Sequence, residues 1–99
     1  MMIYSITFAV ENRAESEWIA YMKEIHIPQI LKSDLVTSYH FTKVLSDETT
    51  DRAYNLQLHY PTRSHLEQYI AELDQEIQSR LQQQFNGKLG SFCTFLEQV

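Results

Sequence analysis

Four segments of the sequence alternate apolar and polar side chains with a period of two residues. They cover residues 2–10, 35–45, 53–60 and 89–99. Alternation of this kind is typical of β-strands, because successive side chains of a strand point to opposite faces of its sheet. The chain contains only two Gly and two Pro, which favours long regular elements joined by few tight turns. The pattern therefore predicts four strands.

A helical pattern follows the first strand. We expect Asn12 to cap this helix, because Glu15 follows three residues later in capping-box position. Its buried stripe is predicted to consist of Trp18, Met22, Ile25 and His26. Pro28 removes a backbone donor and disfavours helical dihedrals at Ile27. The helix should kink or end near Ile27, with one further turn over residues 29–32.

A second, longer helical pattern follows the third strand. Ser64 and Glu67 form another predicted capping box, and apolar residues keep to one stripe from Leu66 to Leu81. The polar residues between them, Asp74 included, are predicted to form a solvated face. Asn86-Gly87 supplies a left-handed stop.

The order β-α-β-β-α-β predicts an α+β, ferredoxin-like domain spanning residues 1–99. Two right-handed crossovers around a central hairpin give a four-stranded antiparallel sheet of order 4-1-3-2, with both helices on one face. The polar stretch 46–51 is the expected hairpin loop. The predicted helix-facing residues are Tyr4, Ile6, Phe8, Val10, Tyr39, Phe41, Tyr54, Leu56, Leu58 and Tyr60. The predicted opposite face consists of Ser5, Thr7, Ser38, His40, Thr42, Asn55, Gln57 and His59.

Composition excludes several functional classes. The formal charge of −5, without a local cluster of Lys or Arg, disfavours nucleic acid as a partner. The sequence predicts neither a membrane span nor a signal peptide. Cys93 is the only cysteine, so an internal disulfide is impossible and a cytoplasmic location is expected. Glycine-rich phosphate loops, zinc motifs and a nucleophile elbow are absent from the sequence.

The predicted opposite face is polar but uncharged along its centre. An antiparallel sheet can leave one face in water, or close face to face with a second copy. Surface strands usually carry Lys and Glu, and their scarcity on this face favours a partly enclosed surface and a homodimer.

His26 is the first candidate catalytic residue. It lies on the buried stripe, shortly before Pro28, where it could act as an acid or base beside an opening between helix and sheet. The alternative is a histidine at the edge of the core, hydrogen-bonded to a backbone carbonyl.

His40 and His59 should lie directly opposite or diagonally on adjacent antiparallel strands. Two imidazoles can begin a metal site, but zinc requires three or four ligands, and only Cys93 is available as a third. The simpler interpretation, two polar residues on a wet surface, predicts no metal. Cys93 itself is expected to pack as a small apolar residue rather than to act as a nucleophile.

Aromatic residues on the predicted helix side form another candidate site. Trp18, Tyr4, Tyr39, Tyr54 and Tyr60 either build the core or line a pocket for a planar ligand. Buried tyrosine hydroxyls need partners, so Tyr4, Tyr54 and Tyr60 are candidates for the polar rim of a cavity.

The chain resembles an uncharacterised bacterial family of domains of unknown function, number 4286. The resemblance rests on Met2–Thr7, on Trp18 with Tyr21–Lys23 and His26–Pro28, on Ala53–Gln57, on Arg63 with Leu66–Tyr69, and on Phe85–Phe95. Such families are similar to the dimeric α/β-barrel proteins, which include cofactor-free monooxygenases, haem-degrading enzymes and isomerases. The resemblance implies a ferredoxin-like fold and a dimer, and it supplies no catalytic residue.

Two functions remain open. The first is a non-catalytic homodimeric module that binds a small metabolite or a partner protein, with no cofactor. The second is a cofactor-independent monooxygenase or isomerase acting on a small aromatic compound, with His26 or His59 as the base. Haem binding to a histidine beside an apolar cavity is a lesser alternative.

Overall fold

The computed structural model describes residues 1–45 and 52–99. Its four strands are β1 (Met2–Val10), β2 (Ser38–Val44), β3 (Arg52–Tyr60) and β4 (Leu89–Glu97). They form one sheet with the order β2-β3-β1-β4, and every neighbouring pair is antiparallel. This is the predicted order 4-1-3-2 read from the other edge, so the predicted sheet is confirmed. The expected hairpin loop at residues 46–51 lies outside the described residues.

Two helical stretches cover one face of the sheet. The first comprises a 3₁₀ turn (Asn12–Ala14), α1 (Glu15–Tyr21), a π turn (Met22–His26) and α2 (Ile27–Leu31). The second comprises α3 (Arg63–Tyr69), a π turn (Ile70–Asp74) and α4 (Gln75–Gln84). The helix stop is where it was predicted: α4 ends at Gln84, and Gly87 has a φ of +76°.

Pro28 does not end the first stretch. A proline inside an α-helix lacks one N–H and its ring collides with the carbonyl four residues earlier, here that of Glu24. The π turn Met22–His26 contains that carbonyl and widens the helix at this point. Pro28 is then the second residue of α2, where a missing N–H has little cost. The chain stays helical to Leu31, close to the further turn that was predicted.

Both predicted capping boxes are wrong. Asn12 lies within the 3₁₀ turn, and neither that turn nor α1 has a side-chain cap. Ser64 lies within the first turn of α3, whose cap is Thr62 with an extended backbone. The Thr62 hydroxyl accepts a hydrogen bond from the backbone N–H of His65 at 3.3 Å. The chain becomes helical one residue earlier than an Asn12 cap predicts and two residues earlier than a Ser64 cap predicts.

The core lies between the sheet and the two helical stretches. Alternate residues of β1 and β3 are buried and face the helices, as predicted. Trp18 is fully buried and its ring packs against those of Phe8 (5.2 Å between centroids) and Tyr54 (5.1 Å). Two predicted core residues are exposed: Ile25, on the outer side of the first π turn, and Tyr39, on the edge strand β2.

Replacing Thr62 with Ala should lower the free energy of unfolding by about 1 kcal/mol, because it removes a side-chain cap from α3. Ser64→Ala is the matched control and should change stability by less than about 0.5 kcal/mol. Denaturant unfolding measures both. A larger loss for Ser64→Ala than for Thr62→Ala would contradict the observed start of the helix.

Candidate functional site

The side of the sheet away from the helices, here called the outer face, carries no formal charge among its described residues. The strand register places sixteen residues on it: Ile3, Ser5, Thr7, Ala9, Ser38, His40, Thr42, Val44, Ala53, Asn55, Gln57, His59, Gly90, Phe92, Thr94 and Leu96. The described strands carry three charged residues, and each is paired with a residue that faces the helices. Lys43 pairs with Tyr54, Arg52 with Val10, and Glu97 with Met2, so all three charges lie on the helix side. The polarity predicted for this face is correct, and β4 adds the apolar Phe92 and Leu96.

The two histidines of the outer face lie together. His59 is opposite Ser38 and His40 is opposite Gln57, so the histidines are diagonal neighbours with ring centroids 5.2 Å apart. Cys93 pairs with Ile6, which places its side chain on the helix side of the sheet. It therefore cannot be their third ligand. In the described part of the chain no group of three His, Cys, Asp or Glu side chains could hold a metal ion.

His26 lies in the core rather than at an opening. It is the last residue of the first π turn, and its side chain is fully buried. Neither ring nitrogen has a hydrogen-bond partner among the described residues, so the expected bond to a backbone carbonyl is not observed. Burial lowers the pKa of His26 from 6.5 to about 4, because the charged form cannot be solvated. The imidazole is therefore neutral at pH 7.

The predicted aromatic pocket is divided between two ends of the sheet. At one end the Tyr54 hydroxyl donates to Glu15 Oε2 at 2.5 Å, and burial raises the pKa of Tyr54 to about 12. Arg52 Nε lies 3.9 Å from the Glu15 carboxylate. At the other end the Tyr4 hydroxyl donates to both carboxylate oxygens of Asp74, at 3.1 and 3.2 Å. Tyr4 and Tyr54 therefore do not share a cavity rim.

Asp74 is the functional candidate that sequence reasoning missed. It ends the second π turn, is half-buried, and accepts the Tyr4 hydrogen bond across a sequence separation of 70 residues. Burial raises the pKa of the Asp74 carboxyl above its usual value, and the hydrogen bond from Tyr4 only partly offsets this. The prediction of a solvated position was wrong. Its spacing gave a signal, since Asp74 lies four residues after Ile70 and three before the buried Ile77.

Two further tyrosines surround this pair. Tyr69 meets Tyr60 with ring centroids 5.6 Å apart and Tyr4 at 6.4 Å. Both residues are fully buried, and neither hydroxyl has a hydrogen-bond partner in the described structure. Burial, with Asp74 nearby, raises the pKa of all three phenols, so they are protonated at neutral pH. The result is a polar cluster inside an otherwise apolar core.

A groove runs between the second helical stretch and β4, and we call it the β4 groove. Eight of the nine residues of β4 are exposed, and Phe95 is 52% exposed although it faces the helix side. The larger cavity of the groove, about 430 Å³, is lined by Met2, Arg63, Leu66, Glu67, Ile70, Ala71 and Phe95. The smaller, about 230 Å³, is lined by Tyr4, Ile6, Gln78, Gln82, Ser91, Phe92 and Cys93.

Tyr4, whose hydroxyl is bonded to Asp74, lines the smaller cavity and contacts a residue of the larger one. Phe95 of the larger cavity stacks on Tyr4 of the smaller one, with ring centroids 4.9 Å apart. The groove thus combines a mainly apolar space with a neutral polar space, and the Tyr4 phenol of the polar space is bonded to Asp74. Such a concave site with few polar groups suits a small organic ligand.

The six residues predicted to bind a ligand do not converge on one site. Four of them lie on the helix side of the sheet: Tyr4, Trp18, His26 and Tyr54. The other two, His40 and His59, lie on the outer face. Only Tyr4 lines a cavity of the β4 groove. Phe95 lines the other cavity of the groove, and Asp74, which lines neither cavity, is bonded to Tyr4.

The family is now clear. Residues 1–99 match the family described as a domain of unknown function (DUF4286). The chain belongs to this family. The resemblance seen in the sequence is thereby confirmed across the whole chain. A comparison with curated proteins finds no match.

Solved structures share the fold. An ethyl tert-butyl ether d (EthD) family protein from Bacillus halodurans has a TM-score of 0.73 at 15% identity, with 100% of both chains covered. A dimeric ferredoxin-like protein from an uncultured marine organism has a TM-score of 0.69 at 11% identity, covering 100% of this chain and 95% of that one. SnoaB, a cofactor-independent oxygenase from Streptomyces nogalater, has a TM-score of 0.69 at 6% identity, covering 98% and 92%. These similarities establish the ferredoxin-like architecture. The described residues form no helix long and apolar enough to span a membrane.

His26 predicts a specific dependence of stability on pH. Between pH 4 and pH 6.5 the unfolded chain takes up a proton at this position while the folded chain does not, so stability falls as the pH is lowered through that window. The loss should reach about 3 kcal/mol for a fully buried imidazole.

Denaturant unfolding at pH 4 and pH 7 tests this prediction, with His26→Leu as the comparison. Subtracting the pH dependence of the variant's unfolding free energy from that of the unmodified protein isolates the contribution of His26. It removes the contribution of Asp74, whose raised pKa changes stability in the opposite direction. Equal pH dependence in both proteins would show that His26 is not held neutral.

Proposed function

We propose that the protein is a homodimeric, non-catalytic module that binds a small, mainly apolar molecule in the β4 groove. The observation that carries this proposal is the 430 Å³ cavity beside the exposed strand β4.

The lining of the larger cavity favours an uncharged ligand with a flat, apolar body. Met2, Leu66, Ile70, Ala71 and Phe95 supply apolar surface, and the exposed Phe95 ring offers a face for stacking. The two charged residues of the cavity are of opposite sign: Arg63, whose Nη2 lies 3.9 Å from Glu97 Oε2, and Glu67. The cavity therefore has no net charge to attract an ionic ligand.

The outer face supports the homodimer. Phe92, Leu96 and Val44 are exposed there by 66%, 42% and 42%, on a surface whose described residues carry no formal charge. Interface centres are depleted in charge and enriched in aromatic residues. A second copy placed face to face would cover these apolar groups and meet an equally uncharged surface, as expected for a two-fold dimer.

A cofactor-independent monooxygenase or isomerase of small aromatic compounds is the second candidate. It is favoured by the Tyr4–Asp74 pair beside the groove, because a half-buried carboxyl with a raised pKa is a candidate proton acceptor. In this scheme the ligand's proton passes to the phenol oxygen of Tyr4, which lines the smaller cavity, while the Tyr4 proton passes to Asp74, so that the carboxyl is the final acceptor. The earlier candidates His26 and His59 lie on opposite sides of the sheet and cannot act together within one subunit.

Filling the larger cavity should abolish binding. Ala71 lies in the π turn that connects α3 and α4, is exposed, and lines the larger cavity. The substitution Ala71→Trp therefore places an indole in this cavity with little strain on the core. With 2-naphthol as the probe, isothermal titration calorimetry should show at least about tenfold weaker binding than for the unmodified protein.

Ala20→Trp is the matched control, because Ala20 is equally an exposed helical residue but lies on the first stretch, outside both cavities of the groove. It should bind 2-naphthol like the unmodified protein. Absence of 2-naphthol binding to the unmodified protein, or equal weakening in both variants, would contradict the groove as the site. Conversion of 2-naphthol to a product, with or without uptake of O₂, would favour the enzyme over the binding module.

A further inference from the structure

We propose that the Tyr4–Asp74 pair makes the β4 groove select neutral ligands that carry a hydrogen-bond donor, such as a hydroxyl or an amide N–H, at one end of an apolar body. This inference rests on the proposed function and specifies the class of ligand. Tyr4 is the residue that contacts the donor, and Asp74 positions Tyr4.

The position of Tyr4 follows from the register of the sheet. Met2, Tyr4 and Ile6 are successive helix-facing residues of β1; Met2 lines the larger cavity, and Tyr4 and Ile6 line the smaller one. Strand β4 is divided between the two cavities in the same way. Phe95, which pairs with Tyr4, lines the larger cavity, and Cys93, which pairs with Ile6, lines the smaller one. A ligand that extends from the larger cavity past Phe95 into the smaller one therefore reaches Tyr4.

Asp74 determines which hydrogen bond Tyr4 can offer. The Tyr4 hydroxyl has one proton, and it is directed at both carboxylate oxygens of Asp74. The phenol oxygen can therefore only accept a hydrogen bond from a ligand. Its donation to a carboxylate makes it a stronger acceptor. A ligand group that donates a hydrogen bond is thus complementary to Tyr4, and one that only accepts is not.

The neighbouring charges exclude anionic ligands. A carboxylate or phosphate at this point would lie beside Asp74, in a protein with a formal charge of −5. The other polar groups of the smaller cavity are the neutral side chains of Gln78, Gln82 and Ser91, with the Cys93 thiol. They suit an uncharged polar group. The site therefore matches a neutral amphipathic molecule, apolar towards Arg63 and Phe95 and polar towards Tyr4.

The test compares 2-naphthol with 2-methoxynaphthalene, which keeps the oxygen and the rings but has no proton to donate. Calorimetry should show that the unmodified protein binds 2-naphthol about tenfold more tightly, the usual effect of one hydrogen bond to a strong acceptor. Tyr4→Phe should bind both probes with similar affinity, because it removes only the acceptor oxygen.

Tyr69→Phe is the matched control. It removes a hydroxyl from the same buried cluster, but Tyr69 lines neither cavity of the groove and its hydroxyl has no described partner. This variant should keep the preference for 2-naphthol. If Tyr4→Phe does not fold, Asp74→Asn replaces it: a neutral amide is a weaker partner for Tyr4, and the preference should fall to about threefold.

The outcomes separate the two proposals. Equal binding of both probes to the unmodified protein, or an unchanged preference in Tyr4→Phe, would overturn the role of Tyr4 and leave the groove as a binding site. Loss of the preference in Tyr69→Phe would also overturn it. If neither probe binds to the unmodified protein, the proposed function itself fails.

Discussion

Antiparallel pairing of β1 with β3 is the constraint on which the rest of the structure depends. These are the two central strands, and their nine-residue register places Tyr4 beside Leu58 and Ile6 beside Leu56 on the helix side. Because side chains alternate, the same register places Ser5 and Thr7 on the outer face, where both hydroxyls lie within hydrogen-bonding distance of Asn55. A shift of one residue would expose the core and bury these polar groups.

The helical layer follows from this sheet but covers it unevenly. The two stretches bury β1 and β3, whereas β4 remains exposed along most of its length. The uncovered margin creates the β4 groove, and the Tyr4–Asp74 hydrogen bond joins the second stretch to the sheet within it. The same element that completes the core therefore also positions Tyr4, the polar contact of the proposed ligand site. Ligand binding should accordingly depend on how the second helical stretch packs on β1.

Much of this architecture could be predicted from the sequence, because alternation is a local property. It was sufficient for the strand order, for the two faces of the sheet and for the proximity of His40 and His59. The sequence could not show that His26 would have no hydrogen-bond partner among the described residues, since this depends on what packs around it. The environment of Asp74 was predicted wrongly, because the sequence shows an acidic residue on a helix but not its partner Tyr4, which comes from a distant strand. The start of α3 was misplaced because Thr62 and Ser64 are both acceptable caps, and only the backbone conformation distinguishes them.

Every charged residue of the described strands lies on the helix side, and we propose that a second copy covers the outer face. The mass of the protein in solution, measured by light scattering, tests this most directly. The unmodified protein should have twice the 11.7 kDa of one chain. Leu96→Asp, which puts a carboxylate on the outer face, should shift it towards one chain. Tyr39→Asp should remain dimeric, because Tyr39 is equally exposed at 42% but faces the helix side of the opposite edge strand. A mass of one chain for the unmodified protein, or dissociation by Tyr39→Asp and not by Leu96→Asp, would contradict the account.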